Sequence, residues 1–529
     1  MRGAERTFVE LGAGAPITDP ASSTYFGPVD AAARTLGIDL EPSVVVLGAC
    51  ASAALAIGLG LRWLERGACD LVLAGGFDEV TVFVAAGFEV LRATTASPPP
   101  RPFRLGRDGM SLGEGAAVLA LARAAAGNAM AFVTGFGVSS DAIHLMAPDR
   151  TGGGLARAAR AALSEAGAGP IDLVSAHATA TPFNDASESR AIGSALGTGA
   201  GAGTDPVVHP FKAQIGHALG AGSALELLVA VDAMRRGVLP AAAGEGPRDP
   251  DAAARTLERA EAGTVRRALK LASAFGGVNA ALVVSSEPGP SPRPLRPAFL
   301  HGGVHLAAEA SLGTLAEKTG LSDERIERAD SLVRFALGAL VALSAQCGSL
   351  KGAGLIVGTA MGPIETNAVF AASLRDGGVR AAEPRRFAYT SPNTVAGECS
   401  IAFGLDGPSF AVGGGLHAGV EALVAATLLV EAGDAERIAV VAVDEAGLVT
   451  HALAGDALTS GAVAFLVSAT EGPSRRARVV SATVRRSRVE RRVSIGGHAA
   501  LLPLLAPVVP SEIVAVSPPD IVASVSFEV

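Results

Sequence analysis

Cys50 stands between a Val-rich run, VVVLG (44–48), and an Ala/Leu-rich stretch (51–66) with the composition of a helix. Unpaired backbone N–H groups and the dipole at a helix start favour a thiolate, the nucleophilic form of cysteine. A lone cysteine in such a place is more often a small buried apolar side chain. Two further blocks shift that balance. In IDLVSAHATATPFNDASE (171–188) a strand runs into His177, two spaced threonines (Thr179 and Thr181) and a polar helix start. In HPFKAQIGHALGAGSALELL (209–228), Lys212, His217 and Glu226 surround a glycine-rich turn into a helix. One histidine on such a turn is commonly structural, and Lys212 with Glu226 also fits a solvated ion pair. Taken together, a cysteine at a helix start and two downstream histidine blocks form a nucleophile with acid–base partners.

The elements that must position these residues alternate along the chain. Short β-rich runs such as VVVLG and DLVLAGG (70–76) flank helical stretches, which predicts an α/β fold with buried, largely parallel strands. At 529 residues the chain is long enough for several domain-sized units, and EPGPSPRPLRP (287–297) is the best linker. The chain also repeats itself. Pro42 precedes Cys50 by eight positions and Pro408 precedes Leu416 by eight; Asp78 and Glu79 follow Cys50 by the same 28 and 29 positions that separate Asp444 and Glu445 from Leu416. One strand–helix–strand unit therefore occurs twice, with cysteine at the first junction and leucine at the second.

Composition excludes several classes. With 49% apolar and 18% charged residues the chain is no disordered segment. A net charge of −8, two Tyr and one Trp speak against nucleic-acid binding. No apolar stretch of about 18 residues appears, and the start MRGAERTFVELG has no apolar signal core. A soluble, cytoplasmic protein is expected, off the membrane. The four cysteines (Cys50, Cys69, Cys347, Cys399) lie far apart, which disfavours a disulfide scaffold, and His301 with His305 lacks the further ligands of a zinc site. GGGLHA (413–418) satisfies a short dinucleotide-binding pattern with Asp444 as a ribose ligand. The repeat accounts for that unit without a cofactor, because its first copy has GACASA in the same register.

Residues 1–286 resemble the β-ketoacyl synthases of the thiolase-like superfamily. The resemblance rests on GACASAALAI, GGFDE, RPFRLGRDGMSLGEGAAVLAL, AHATATPFND, KAQIGHALGAGSALE and SAFGGVNAALVV. It implies a layered αβαβα thiolase-like fold and a decarboxylative Claisen condensation of an acyl thioester with malonyl-carrier protein, in fatty-acid or polyketide synthesis. It implies Cys50 as the acylated nucleophile, with His177 and His217 assisting decarboxylation and holding the enolate oxygen. Lys212 and Glu226 match the supporting ion pair, Thr179 and Thr181 the pantetheine contacts, and Phe275 the gating residue beside the oxyanion hole. Ala178 and Ala180 stand where the family usually has glycines. Cys50 lies nearer the start than in the family, so the opening strands of this unit are expected to be missing.

From residue 298 onward the chain is similar to the N-terminal half of a ketosynthase, on GAGLIVGTAMGPIETN (352–367) and SPNTVAGECSIAFGLDGPS (391–409). Its junction residue, Leu416, forms no thioester, as in a chain-length factor or pseudo-ketosynthase. The expected organisation is thus a catalytic unit at 1–286, a linker at 287–297, a pseudo-ketosynthase half at 298–470 and a remnant at 471–529 without HATAT-like or KAQIGH-like blocks. The resemblance implies an acyl carrier protein as partner, and a homodimer or internal pseudo-dimer. Substrates ride on phosphopantetheine, with no other cofactor and no metal. The loop bearing Arg101, Arg104 and Arg107 is the expected docking place for the acidic carrier. The alternative is a noncatalytic pseudo-ketosynthase acting as an assembly partner. A degradative thiolase is disfavoured, since it needs a second cysteine where KAQIGH supplies Lys and His.

Overall fold

The computed structural model describes residues 27–38, 43–123, 128–197, 205–252, 254–413, 415–486, 497–517 and 521–528. The N-terminal MRGAERTFVELG segment, Pro42 and Gly414 lie outside the described residues. The chain divides into two compact units, one running from Gly48 to Arg293 and one combining the residues up to Leu47 with those from Pro294 onward. The strand β1 (Val46–Leu47) belongs to the second of these and pairs antiparallel with Ser409–Gly413. The run before Cys50 is therefore not a parallel strand of the unit that carries Cys50.

In the Cys50 unit, helix α1 (Ser52–Arg66) buries Ala54, Leu55, Ile57, Leu59 and Leu64 and ends where Gly67, at φ 72°, donates its N–H back to Trp63 and Leu64. Gly58 is required inside this helix. A Cβ there would lie 2.2 Å from the Phe136 ring, so only glycine lets helix and sheet approach. Arg62, buried on α1, is neutralised by Glu165 at 2.6 Å and Glu65 at 2.8 Å. The antiparallel ribbon β2 (Leu71–Asp78) and β3 (Gly115–Ala122) follows. A five-stranded sheet is built from β4 (Phe132–Ser140), β5 (Leu173–Ser175), β6 (Val207–His209), β7 (Arg267–Ser273) and β8 (Val278–Ser285) in the order β4–β8–β7–β5–β6. Helices α2 (Val82–Val90), α3 (Gly153–Glu165), α4 (Pro182–Leu196) and α5 (Leu219–Arg236) belong to the same unit, as does a short ribbon of Val238–Leu239 with Glu261–Ala262.

The Leu416 unit contains one nine-stranded sheet. Its strands are β1, β9 (Ala298–Leu306), β10 (Gly354–Thr359), β11 (Ser409–Gly413), β12 (Arg437–Asp444), β13 (Gly461–Ser468), β14 (Arg475–Arg486), β15 (Glu512–Ser517) and β16 (Ile521–Glu528). They run in the order β1–β11–β10–β12–β13–β9–β14–β16–β15. Helix α6 (Ser331–Cys347) packs on β9, β12 and β13, and helix α7 (Asn393–Phe403) and helix α8 (Ala418–Ala432) pack on β10 and β11. The core gathers Leu332, Leu337 and Leu340 of α6 with Leu355, Val441 and Ala464 of the sheet.

The expectation of largely parallel strands is corrected here. Among the described residues, only β10–β11, β10–β12, β5–β6 and β5–β7 are parallel; every other pairing in the two large sheets is antiparallel. Continuous apolar composition reports burial on both faces, which antiparallel strands reach equally well when helices cover them. Among the described residues no helix is long and apolar enough to cross a membrane.

Candidate active site

Cys50 lies in a single 3-10 turn, Ala49–Ala51, at the head of α1. Ala49 is held in the left-handed region at φ 48°, a conformation that costs a non-glycine residue about 1 kcal/mol. Ser52 braces the turn: its hydroxyl accepts from the Gly48 N–H at 3.0 Å and donates to the Ala49 carbonyl at 2.7 Å. The Ser223 hydroxyl of α5 donates to the Cys50 carbonyl at 3.4 Å.

The electrostatics around the sulfur differ from the expectation. Desolvation pushes the Cys50 thiol up to about 12; the Lys212 charge and a backbone hydrogen bond pull it down but are outweighed. Asp78 and Glu226 add to the upward push. The residue keeps part of its surface open to solvent, yet at neutral pH the resting group is the thiol, because the short turn offers less stabilisation than the packing around the sulfur removes.

After β5 the chain enters the His177 turn, which two buried carboxylates hold from α4. Glu188 accepts the N–H groups of His177 and Ala178 at 2.6 and 2.7 Å, and Asp185 accepts those of Phe103 and Ala180 at 2.8 and 3.1 Å. Burial raises both acids, Asp185 to about 7. Ala178 and Ala180 adopt φ 44° and 57°, the left-handed region that glycine fills without strain. Thr179 and Thr181 share a hydroxyl–hydroxyl hydrogen bond of 2.9 Å.

Lys212 opens the short helix Lys212–Ile215, and Gly216 at φ 80° turns the chain to His217 and on to α5. The Lys212 Nζ donates to Glu226 at 2.5 Å and to the His177 Nδ1 at 3.3 Å. An ammonium has no acceptor, so His177 must carry its ring proton on Nε2. The His217 Nδ1 accepts from the Leu219 N–H at 3.2 Å, which places that proton on Nε2 as well. The two rings meet edge to face with centroids 5.5 Å apart. Burial, reinforced by the charges of Lys212 and Lys270, holds both well below the usual histidine range. The site thus offers two neutral imidazoles, each with an Nε2–H donor, and a neutral thiol.

Phe275 begins a tight turn, Phe275–Gly277, and stacks on Phe88 of α2 with centroids 5.7 Å apart. Gly276 and Gly277 both have positive φ. Asn279 and Asp141 anchor the turn. The Asn279 amide donates to Asp141 at 2.8 Å and to the Gly277 carbonyl at 3.2 Å, while the Asp141 N–H donates to the same carbonyl at 2.8 Å.

The structure therefore links His177, His217, Lys212 and Glu226 directly, and the Lys212 and Glu226 charges reach the Cys50 sulfur. Of the three arginines expected to face a carrier, Arg101 stays partly exposed and donates to the Gly106 carbonyl at 3.0 Å, while the other two turn inward. Arg104 and Arg107 are buried; Arg104 donates to the Gly246 carbonyl at 3.1 Å, and Arg107 pairs with Asp249 and donates to the Pro182 carbonyl at 3.0 Å. Their guanidiniums close loops of their own unit. Asp444, the candidate ribose ligand, is also occupied: its carboxylate accepts the Ala360 N–H at 2.9 Å and the His498 N–H at 2.5 Å. Sequence reading missed Lys270, Glu188, Asp185, Asp141 and Asn279. A single lysine in the apolar strand RALKLAS was the one available signal for the first.

The Beta-ketoacyl synthase, N-terminal domain family model matches residues 38–126 and 312–462, and the Beta-ketoacyl synthase, C-terminal domain model matches 130–244. The chain is 31% identical over 280 residues to the 3-oxoacyl-[acyl-carrier-protein] synthase 2 of Staphylococcus aureus, covering 49% of this chain and 69% of that one. This chain belongs to the β-ketoacyl synthase family. It is 35% identical over 261 residues to the mitochondrial 3-oxoacyl-[acyl-carrier-protein] synthase of Arabidopsis thaliana, across 46% of this chain. That match spans only 56% of the Arabidopsis protein's length. A solved structure titled PfaC Keto synthase-Chain length factor superposes with a TM-score of 0.74 at 17% identity, covering 92% of this chain and 66% of that one. The fold is thus the thiolase-like ketosynthase fold.

Proposed function

We propose that this chain is a β-ketoacyl synthase-type acyltransferase that joins an acyl thioester to malonyl-carrier protein with loss of CO₂. The paired neutral imidazoles, both with the proton on Nε2, carry this reading. A thioester enolate develops negative charge on oxygen, and fixed N–H donors in a dry site stabilise that charge without reorganising. In the first step the Cys50 sulfur attacks the acyl thioester and expels the pantetheine sulfur, which takes up the thiol proton. In the second, malonyl thioester loses CO₂ and leaves an enolate held by the His177 and His217 Nε2–H groups. In the third, the enolate carbon attacks the Cys50 thioester, the C–C bond forms and the thiol is regenerated on protonation.

Under this reading Thr179 and Thr181 meet the pantetheine arm, Phe275 lies at the acyl entrance and an acyl carrier protein delivers both substrates. No cofactor held by the protein enters these steps. The Leu416 unit acts as a noncatalytic, chain-length-factor-like half. One observation favours the other reading, a wholly noncatalytic assembly partner: the thiol pushed up to about 12. Intact-mass measurement with acyl- and malonyl-carrier thioesters separates the two. His217→Ala is expected to keep the acyl adduct on Cys50 while losing decarboxylation. A variant that decarboxylates but cannot load, or a parent protein that never forms an adduct, overturns the proposal.

A further inference from the structure

Lys270 projects from β7 into the core and has no solvent exposure. A lone buried ammonium is expensive unless paired and hydrogen-bonded. Here every proton is used. The Nζ pairs with the second oxygen of Glu226 and donates to the carbonyls of Leu271 at 2.6 Å, Ser175 at 3.3 Å and Ala176 at 3.4 Å. The last two are the residues immediately before His177, whose own N–H is held by Glu188. The His177 backbone is thus clamped on one side by Lys270 and on the other by Glu188.

The more consequential contact is with Glu226. One oxygen of that carboxylate receives Lys212 and the other receives Lys270. Lys212 divides its protons between Glu226 and the His177 Nδ1. If Lys270 loses its charge, Lys212 alone must neutralise Glu226. It is then drawn fully onto the carboxylate, and its bond to His177 weakens. We propose that Lys270 is a positioning residue that shares Glu226 with Lys212 and thereby controls the hydrogen bond that fixes the His177 tautomer. The inference deepens the condensing-enzyme reading and rests on it for its catalytic consequence, though not for the tautomer itself.

The groups that face Lys270 are Glu226 from α5, Lys212 from the short helix before it, Glu188 from α4, His209 from β6, and His177 and His217 from their turns. Burial, partly offset by Glu226, brings Lys270 down to about 8, so its charge is lost within an accessible pH range.

The test is ¹⁵N-histidine NMR of the full chain from pH 6.5 to 9.5, with malonyl-carrier decarboxylation followed in parallel. In the parent protein the His177 signals are expected to shift from the Nε2–H towards the Nδ1–H tautomer with a midpoint near pH 8, and decarboxylation to fall with the same midpoint. Lys270→Arg keeps its charge throughout and should remove that step and extend the activity to higher pH. Lys270→Met should lose about 10- to 100-fold in decarboxylation, the worth of a charged hydrogen bond, while still loading Cys50. A His177 tautomer unchanged across pH 8 in the parent, or a step that survives in Lys270→Arg, overturns the inference, and neither result needs a foldable Lys270→Met. A tautomer step with no decarboxylation at any pH supports the Lys270 assignment and overturns the condensing reading instead.

Discussion

The Cys50 and Leu416 repeats share one local plan, and their differences lie in what surrounds it. Both have a strand, a junction residue, a helix closed by a left-handed glycine (Gly67, Gly433) and a second strand ending in aspartate. Asp78 accepts the Gly220 N–H at the start of α5, and Asp444 accepts the His498 N–H at the start of the 3-10 segment Gly497–Leu505. That segment packs on α8, β12 and β13 as α5 packs on α1, β2 and β3. It is shorter and carries Pro503, and where α5 holds Glu226 against Lys212 it holds His498 against Asp444 at 3.2 Å. A repeated scaffold is therefore not a repeated site: the chemistry depends on charges brought from β7, α4 and α5.

The largest effect expected from this contrast concerns the junctions. Cys50→Ala should remove the acyl adduct, a loss beyond about a thousandfold in turnover. Leu416→Cys added to that variant should not restore it, because the imidazoles at this junction are held differently: His417 faces Glu421, and His498 faces Asp444 and stacks on His305. An adduct on the new cysteine by peptide mapping would dissolve the distinction between the repeats.

A smaller effect separates the units by acidity. His177 and His217 are held neutral below their unfolded value of 6.5, so below that pH the unfolded chain binds more protons and the Cys50 unit loses stability. Each ring contributes about 1.4 kcal/mol per pH unit, present above pH 6.5 and lost progressively as pH falls. The single tryptophan, Trp63, lies on α1 and reports this unit alone. The raised acids Asp185 and Glu188 work in the opposite direction, so the rings are isolated by difference: in denaturant melts followed at Trp63 between pH 7 and 5.5, the parent should lose about 2.5 kcal/mol more than the double variant His177→Gln, His217→Gln. No difference between the two would show that the imidazoles protonate freely in the folded protein.

The smallest effect is at Ala178 and Ala180. Replacing either by glycine relieves about 1 kcal/mol of left-handed strain and gives back a similar amount through the lost methyl and the freer unfolded chain. Ala178→Gly and Ala180→Gly should each stay within about 1 kcal/mol of the parent in the same melts. A loss above about 2 kcal/mol would mean that the methyls pack as core rather than sit as tolerated strain.

Much of this was legible before the structure. The periodic runs marked the strands and helices, and the motif spacing singled out His177, Lys212, His217 and Glu226, which the fold then links. What stayed hidden depends on long-range neighbours. Nothing local in VVVLG says that Val46 pairs with Val412, and nothing in RPFRLGRD says that Arg104 and Arg107 turn inward to Gly246 and Asp249. Lys270 was overlooked because a charge in an apolar strand acquires meaning only beside Glu226. Thiol acidity failed for a related reason, since a helix start can be recognised in sequence while the packing and acids that gather around its sulfur cannot.

The ribbon β2–β3 has a consequence for the timescale on which each repeat opens. Helices α1 and α5 cover one face, and the other leaves Leu71, Phe77 and Val118 at 59%, 49% and 62% exposure. Its counterparts β12 and β13 are buried along nearly their whole length and hydrogen-bonded on both edges. Amide protons escape through local openings whose free energy follows such burial. In deuterated water the β2 and β3 amides should therefore exchange well before those of β12 and β13. The repeat that carries Cys50 would register as the quick half of the molecule, and the repeat that carries Leu416 as the slow half.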